Sequence, residues 1–168
     1  MCQTLESMEP EPMPVNLPDH SGVAFPPPFL YAIPLAAGLL LHWAHPIVLM
    51  PRGAAVPLGV LLVALGLALV GFAMGSFFRA RTSPIPIKPT TAIVETGPYR
   101  FTRNPMYVGL AALYLGVTLW VDSLWPVLFL PIALFTIQRF VIVREERYLE
   151  AKFGDQYRGY KARVRRWI

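Results

Sequence analysis

The chain has a single cysteine, Cys2, in 168 residues. No intrachain disulfide can form, and no cysteine-based metal cluster exists. No lipoprotein-type apolar segment precedes Cys2, which reads as an ordinary residue. Charge is also scarce: Asp, Glu, Lys and Arg make up 15% of the chain, against about 25% in an ordinary soluble domain. The first 28 residues hold no Lys or Arg at all. With no basic start, and with the first apolar run beginning only at Phe29, a secretory signal pattern is not expected. Nucleophilic triads, phosphate-cradling glycine loops and nucleic-acid modules are missing as well, so no nucleic-acid partner is expected. The net charge of +5 is accounted for by membrane topology.

Apolar sequence is abundant instead. Hydrophobic residues form 55% of the chain, gathered into long runs, and the length allows one domain. The expected class is an all-α polytopic membrane protein with about four transmembrane helices and a cytoplasmic amphipathic C-terminal helical tail. Residues 1–28, acidic and proline-rich, cannot bury a core and are expected to be disordered. Residues 29–168 form the membrane domain, with spans expected near 29–50, 54–78, 105–121 and 124–143. Crossing a bilayer takes about 20 apolar residues. The second run is the clearest; its Gly59, Gly66, Gly71 and Gly75 permit close helix packing, and Gly71-x-x-x-Gly75 fits the small-residue spacing. The third is short. Asp122 and Ser123 leave room only for a tight turn, so the last two spans should form an antiparallel hairpin.

Of the fifteen Lys and Arg residues, Arg52 alone falls between the first two runs. All the others lie between 79 and 103 or from Arg139 onward. With four spans those two regions share one membrane face, and the positive-inside rule makes it cytoplasmic. A bacterial inner membrane is the expected location.

From Arg144 the chain turns amphipathic. Leu149, Phe153, Tyr157, Tyr160, Val164 and Trp167 recur at helical spacing, interrupted at Gly154, with Arg158, Lys161, Arg163, Arg165 and Arg166 beside them. The plain reading is a basic tail lying on anionic lipid.

Two constellations carry chemistry. In Gly97–Tyr107, Asn104-Pro105 is a strong helix start, an N-cap residue followed by proline at the first helical position. The free N–H groups and positive dipole end of that helix, together with Arg100 and Arg103, favour a carboxylate or phosphate. On the capping signal alone, a capped helix with two snorkelling arginines is the favoured reading. The second constellation is Arg144-Glu145-Glu146-Arg147 with Tyr148 and Glu150. Its plain reading is a solvated charged face. The hairpin brings the two together, so that Tyr99, Arg103, Asn104 and Tyr107 meet Arg144, Glu145 and Glu146. The joint site offers cations for a carboxylate, anions for a cation, and aromatic faces for an adenine or an onium centre. His42 and His45 lie three apart near the far end of the first run, with no third ligand on that side, so no metal is expected.

In order and spacing these residues resemble the isoprenylcysteine carboxyl methyltransferase family and its relatives, the phospholipid N-methyltransferases. The shared pattern reads Gly97-Pro98-Tyr99, Arg103-Asn104-Pro105-Met106-Tyr107, Glu145-Glu146 and Phe153-Gly154-Asp155-Gln156-Tyr157-Arg158-Gly159-Tyr160, within roughly 84–168. The resemblance implies an integral membrane methyltransferase that uses S-adenosylmethionine. It carries cofactor contacts to Thr91, Ala92, Ile93, Val94, Tyr99, Asn104, Pro105, Met106, Tyr107 and one of Glu145 or Glu146. A substrate-contacting arginine falls to Arg139 or Arg144. Asn104 stands where many members have His, and it cannot exchange a proton near neutral pH.

The catalytic candidates are Arg144, Glu145 and Glu146, with Arg103 added to the cofactor site for its charge. The expected partners are the bilayer and a lipophilic acceptor, foremost an isoprenylcysteine-type carboxylate, with a phospholipid amine or another small lipophilic acceptor as the alternative. The rival of another class is a non-enzymatic membrane adaptor or lipid-binding subunit whose basic tail recruits a partner.

Overall fold

A computed structural model describes residues 26–83 and 90–168. The expected disordered tail lies outside them except for Pro26, Pro27 and Pro28. The described chain is helical, in the order α1 (Pro27–Ala44), α2 (Arg52–Arg79), a 3-10 turn (Gly97–Arg100), α3 (Pro105–Val121), α4 (Leu124–Ile137), a π turn (Gln138–Ile142), α5 (Val143–Phe153) and α6 (Asp155–Arg163). The protein is therefore an all-helical polytopic membrane protein. Among the described residues, three helices are long and apolar enough to cross a bilayer: α1, α2 and the continuous Leu124–Phe153; α3 is a shorter apolar helix of 17 residues. Large apolar side chains such as Leu40, Trp43, Leu61 and Phe72 are exposed on α1 and α2, as lipid-facing helices require.

Helices in lipid gain little from water release, so small residues that let backbones approach hold them together. The α2–α3 seam is built this way at two of the four glycines expected to pack, Gly59 and Gly66, and not at the Gly71–Gly75 pair. A Cβ on Gly71 would meet nothing within 4 Å, and one on Gly75 only the Arg79 side chain at 3.7 Å. Gly59 and Gly66 instead face Gly116 and Gly109 in antiparallel register. A Cβ on Gly59 would lie 2.5 Å from the Trp120 nitrogen, and one on Gly66 2.8 Å from the Gly109 carbonyl oxygen. The pairs are seven residues apart on each helix, so they fall on one face, which Gly71 and Gly75 do not share.

α3 lies chiefly against α2, and α4 chiefly against α1. The core between α1, α3 and α4 holds Tyr31, Tyr107, Tyr114, Ile137, Val141 and Ile142. The Tyr114 hydroxyl donates to the Pro126 carbonyl at 2.8 Å, tying α3 to α4 across their turn. That turn is as tight as expected: Asp122 sits in the left-handed region at φ 57° and ends α3.

The first span is shorter than the expected 29–50. α1 ends at Ala44 because Pro46 disfavours helical conformation at His45. Residues 45–50 become a connector on the α3–α4 turn, where Asp122 Oδ1 accepts the amides of Leu49 (3.0 Å) and Met50 (3.2 Å). At the other end α4 continues through the π turn into α5. This continuous helix has 30 residues, about 45 Å at 1.5 Å per residue. The hydrocarbon core is about 30 Å thick, so the charged stretch from Arg144 emerges beyond the spanning segment.

Candidate functional site

The C-terminal end of α2, the N-terminal end of α3 and the emergent α5 meet at one end of the bundle. Between them is a cavity of about 830 Å³, its open mouth included. Its walls come from Phe77, segment 90–94, the 3-10 turn, the start of α3, and inward residues of α5 and α6.

The 3-10 turn aims Tyr99 into this space. Gly97 permits the turn, having φ +61° and so little room that a Cβ would lie 2.7 Å from Ser76 Oγ. Tyr99 packs edge-on against Phe77, with ring centroids 5.4 Å apart. Its carbonyl accepts the Tyr160 hydroxyl at 2.8 Å.

The two constellations do meet. The Tyr107 hydroxyl, one turn into α3, donates to Glu145 Oε1 at 2.8 Å. Arg103 Nη2 lies 3.3 Å from Glu146 Oε1, with both side chains only 8% exposed. Glu146 also accepts two bonds from Arg166, from Nε at 3.0 Å and Nη2 at 2.7 Å. Its solvated-face reading therefore gives way to a buried ion cluster, whereas Glu150 pairs with Lys161 on the outside at 3.0 Å.

Burial pushes the Glu145 carboxyl up to about 7, helped by the neighbouring charge of Glu146 and opposed by the Tyr107 hydrogen bond. Burial likewise raises Tyr157 to about 12 and raises Tyr99 and Tyr160 further, so all three stay neutral at neutral pH. The Tyr157 hydroxyl lies against the Arg103 guanidinium. Even so, Arg103 Nε and Nη1 are buried without a hydrogen-bond partner among the described residues. A buried guanidinium with two unmet donors on a cavity wall is a place for an anion.

Asn104 stands at the N-cap of α3 as expected, and its carbonyl accepts the amides of Tyr107 (3.0 Å) and Val108 (3.1 Å). Its side chain makes no capping bond. Nδ2 instead donates to the Arg166 carbonyl at 2.9 Å, because the C-terminal segment lies beside it.

Of the residues expected at the site, Ala92, Ile93, Val94, Tyr99, Arg103, Asn104, Met106, Tyr107, Glu145 and Glu146 line the cavity. Thr91 and Pro105 do not. Thr91 is exposed, with its amide bonded to Thr82 Oγ1 at 3.0 Å, and Pro105 is buried in the first turn of α3. Arg139 and Arg144 are exposed and also lie off the cavity wall.

Sequence reasoning missed Phe77, Ser83, Thr90, Tyr148, Leu149, Tyr157 and Tyr160 on the wall. Leu149, Tyr157 and Tyr160 belong to one helical stripe that is visible in the sequence. That stripe faces the protein rather than lipid, with Tyr157 2% and Tyr160 3% exposed. Tyr148 is anchored by both neighbours, its hydroxyl accepting the Thr90 amide at 3.3 Å and Lys152 Nζ at 3.1 Å.

The cavity at one end of the bundle thus sets charged and aromatic side chains in a largely apolar wall. The phospholipid methyltransferase family model matches residues 54–156, so this chain belongs to the phospholipid methyltransferase family. An uncharacterized protein of Haemophilus influenzae is 48% identical over 63 residues, covering 38% of this chain and 100% of that protein.

Proposed function

We propose that the protein transfers a methyl group from S-adenosylmethionine to a lipophilic acceptor at the cytoplasmic face of a bacterial inner membrane. The observation that carries this reading is one cavity lined by both the Arg103 guanidinium, with two donors unmet among the described residues, and the Glu145 carboxyl. Tyr99, Tyr107 and Tyr148 stand on the same wall. Such a site suits a zwitterionic ligand with an onium centre and a flat base. Arg103 would hold the carboxylate, Glu145 would face the positive charge, and the tyrosine rings would offer aromatic surface.

S-adenosylmethionine, when bound, supplies a methyl group already activated on a sulfonium. The chain then has to hold the acceptor in line and exclude water, and fixed charges and hydrogen-bond donors do much of that work. Tyr107 orients Glu145 through its 2.8 Å bond. Tyr99 packs edge to face against Phe77, which stiffens that part of the cavity wall.

For the acceptor, an isoprenylcysteine-type carboxylate is the first reading. A carboxylate nucleophile needs no base, and the Asn104 side chain cannot take a proton. A phospholipid amine is the second reading, carried by Glu145: a carboxyl near 7 is poised to accept the proton such an amine must lose.

The experiment is incubation of the purified protein with methyl-labelled S-adenosylmethionine and a total lipid extract. Label in a lipid fraction supports methyl transfer. Release of that label as methanol by mild base marks a carboxyl ester; base-stable label marks an amine. No protein-dependent label in any lipid fraction counts against a lipid acceptor, and bound nucleoside without transfer favours an adaptor role.

A further inference from the structure

The last residues of the chain, 164–168, run back along the entrance of α3 rather than out into solvent. The Arg103 amide donates to the Arg165 carbonyl at 2.9 Å, and Thr102 pairs with Arg165 in a parallel bridge. The Arg166 carbonyl accepts Thr102 Oγ1 at 3.1 Å and Asn104 Nδ2 at 2.9 Å. Trp167 Nε1 donates to Gln138 Oε1 at 3.1 Å, pinning the end of the strap to the π turn. Each of these contacts but the last falls on residues 102–104, the segment that presents Arg103.

The side-chain arrangement at Arg166 has a consequence for charge. Glu146 lies between two guanidiniums, and the three groups together carry one net positive charge. Arg166 takes both carboxylate oxygens, whereas Arg103 reaches one of them at 3.3 Å and leaves Nε and Nη1 unmet. Without Arg166, Glu146 would turn wholly to Arg103, the remaining cation beside it, and satisfy it as a bidentate pair. Arg166 is not on the cavity wall, so its effect is indirect.

We infer that Arg166 is a positioning residue: by engaging Glu146, the C-terminal strap keeps the Arg103 guanidinium available to an anionic group of the ligand. The inference rests on the cofactor reading for the identity of that ligand, but not for the presence of the anion site.

The test uses the full-length protein in detergent, with binding followed by calorimetry. The probes are S-adenosylhomocysteine, which carries the amino-acid carboxylate, methylthioadenosine, which lacks it, and inorganic phosphate. Arg166→Gln is expected to weaken S-adenosylhomocysteine by about ten- to a hundredfold and to weaken phosphate similarly, while methylthioadenosine binds as before. Arg166→Gln/Glu146→Gln is expected to recover most of the loss, because the neutral amide put in place of the Glu146 carboxylate cannot neutralise Arg103. A merely structural strap would not be rescued by a second substitution. Unchanged S-adenosylhomocysteine affinity in Arg166→Gln, parallel loss of both nucleosides, or a double variant no better than the single one overturns the inference. Wild-type protein that binds phosphate but neither nucleoside sinks the cofactor reading and leaves the strap to be judged on phosphate. Wild-type protein that binds none of the three overturns both.

Discussion

The Tyr107 hydroxyl donates to Glu145 Oε1 at 2.8 Å, joining the first turn of α3 to a helix that has already left the membrane. The bond links two residues 38 positions apart. It fixes the Glu145 carboxyl on the cavity wall, which Arg103, four residues before Tyr107, also lines.

Tyr107→Phe keeps the ring and its packing and removes only this donor. A hydrogen bond to a charged group contributes about 1.5–3 kcal/mol, so the affinity of S-adenosylmethionine, which carries the sulfonium that Glu145 would face, should fall by roughly ten- to a hundredfold. Calorimetry reads it. Unchanged affinity would mean that Glu145 takes no part in binding.

Glu145 titrates near 7, well above its ordinary 4.5. The folded state therefore holds its proton more tightly than the unfolded chain. The carboxyl's contribution to stability is fully present below about 4.5 and is lost as pH rises through about 7. Binding of a cationic ligand runs the other way, since it needs the carboxylate. The affinity of S-adenosylmethionine, the sulfonium form, should rise as pH increases through about 7, and Glu145→Gln should flatten that rise. A pH titration of binding in both proteins checks the sign. A rise equally steep in the variant assigns it to another group.

Gly59→Ala should weaken the α2–α3 seam, because its Cβ would fall 2.5 Å from the Trp120 nitrogen and 2.8 Å from the Gly116 carbonyl oxygen. Overpacking of this kind destabilises by about 1–3 kcal/mol. Gly71→Ala faces open space and should be neutral or stabilising by up to about 1 kcal/mol through helix propensity. Thermal unfolding in detergent compares them. Equal melting temperatures would contradict the seam as described.

Asp122→Ala should cost stability and spare the site. It removes the acceptor for the Leu49 and Met50 amides and leaves a residue with φ 57° that alanine adopts poorly. The turn lies at the opposite end of the bundle from the cavity. The melting temperature should drop while S-adenosylhomocysteine affinity stays constant. Loss of affinity in a still-folded variant would show coupling along α3.

The apolar runs, the tight Asp122 turn, the break at Gly154 and the meeting of residues 99–107 with Glu145 and Glu146 are all legible in the sequence. Each depends on local chemistry or on hairpin order. What is not legible depends on partners distant in the chain. Gly59, Gly66, Gly71 and Gly75 all suit close packing, and Gly71-x-x-x-Gly75 carries the motif spacing, yet spacing does not say that α3 reaches Gly59 and Gly66. The Tyr157–Tyr160 stripe has the periodicity of a lipid-facing helix, and periodicity does not say which apolar surface it covers. Asn104 signals a cap, but the strap takes its side chain. Arg139 and Arg144 are exposed and off the cavity wall, whereas Glu145 and Glu146 line it, a helix phase that charge alone does not reveal.

The central claim is that one cavity binds a zwitterionic nucleoside between Arg103 and Glu145. Calorimetric titration of S-adenosylhomocysteine into the purified wild-type protein, Arg103→Gln and Tyr107→Ala tests it most directly. Saturable binding by the wild type, weakened by each of the two substitutions, is the expected result. No saturable binding by the wild type, or binding that neither substitution alters, would contradict it.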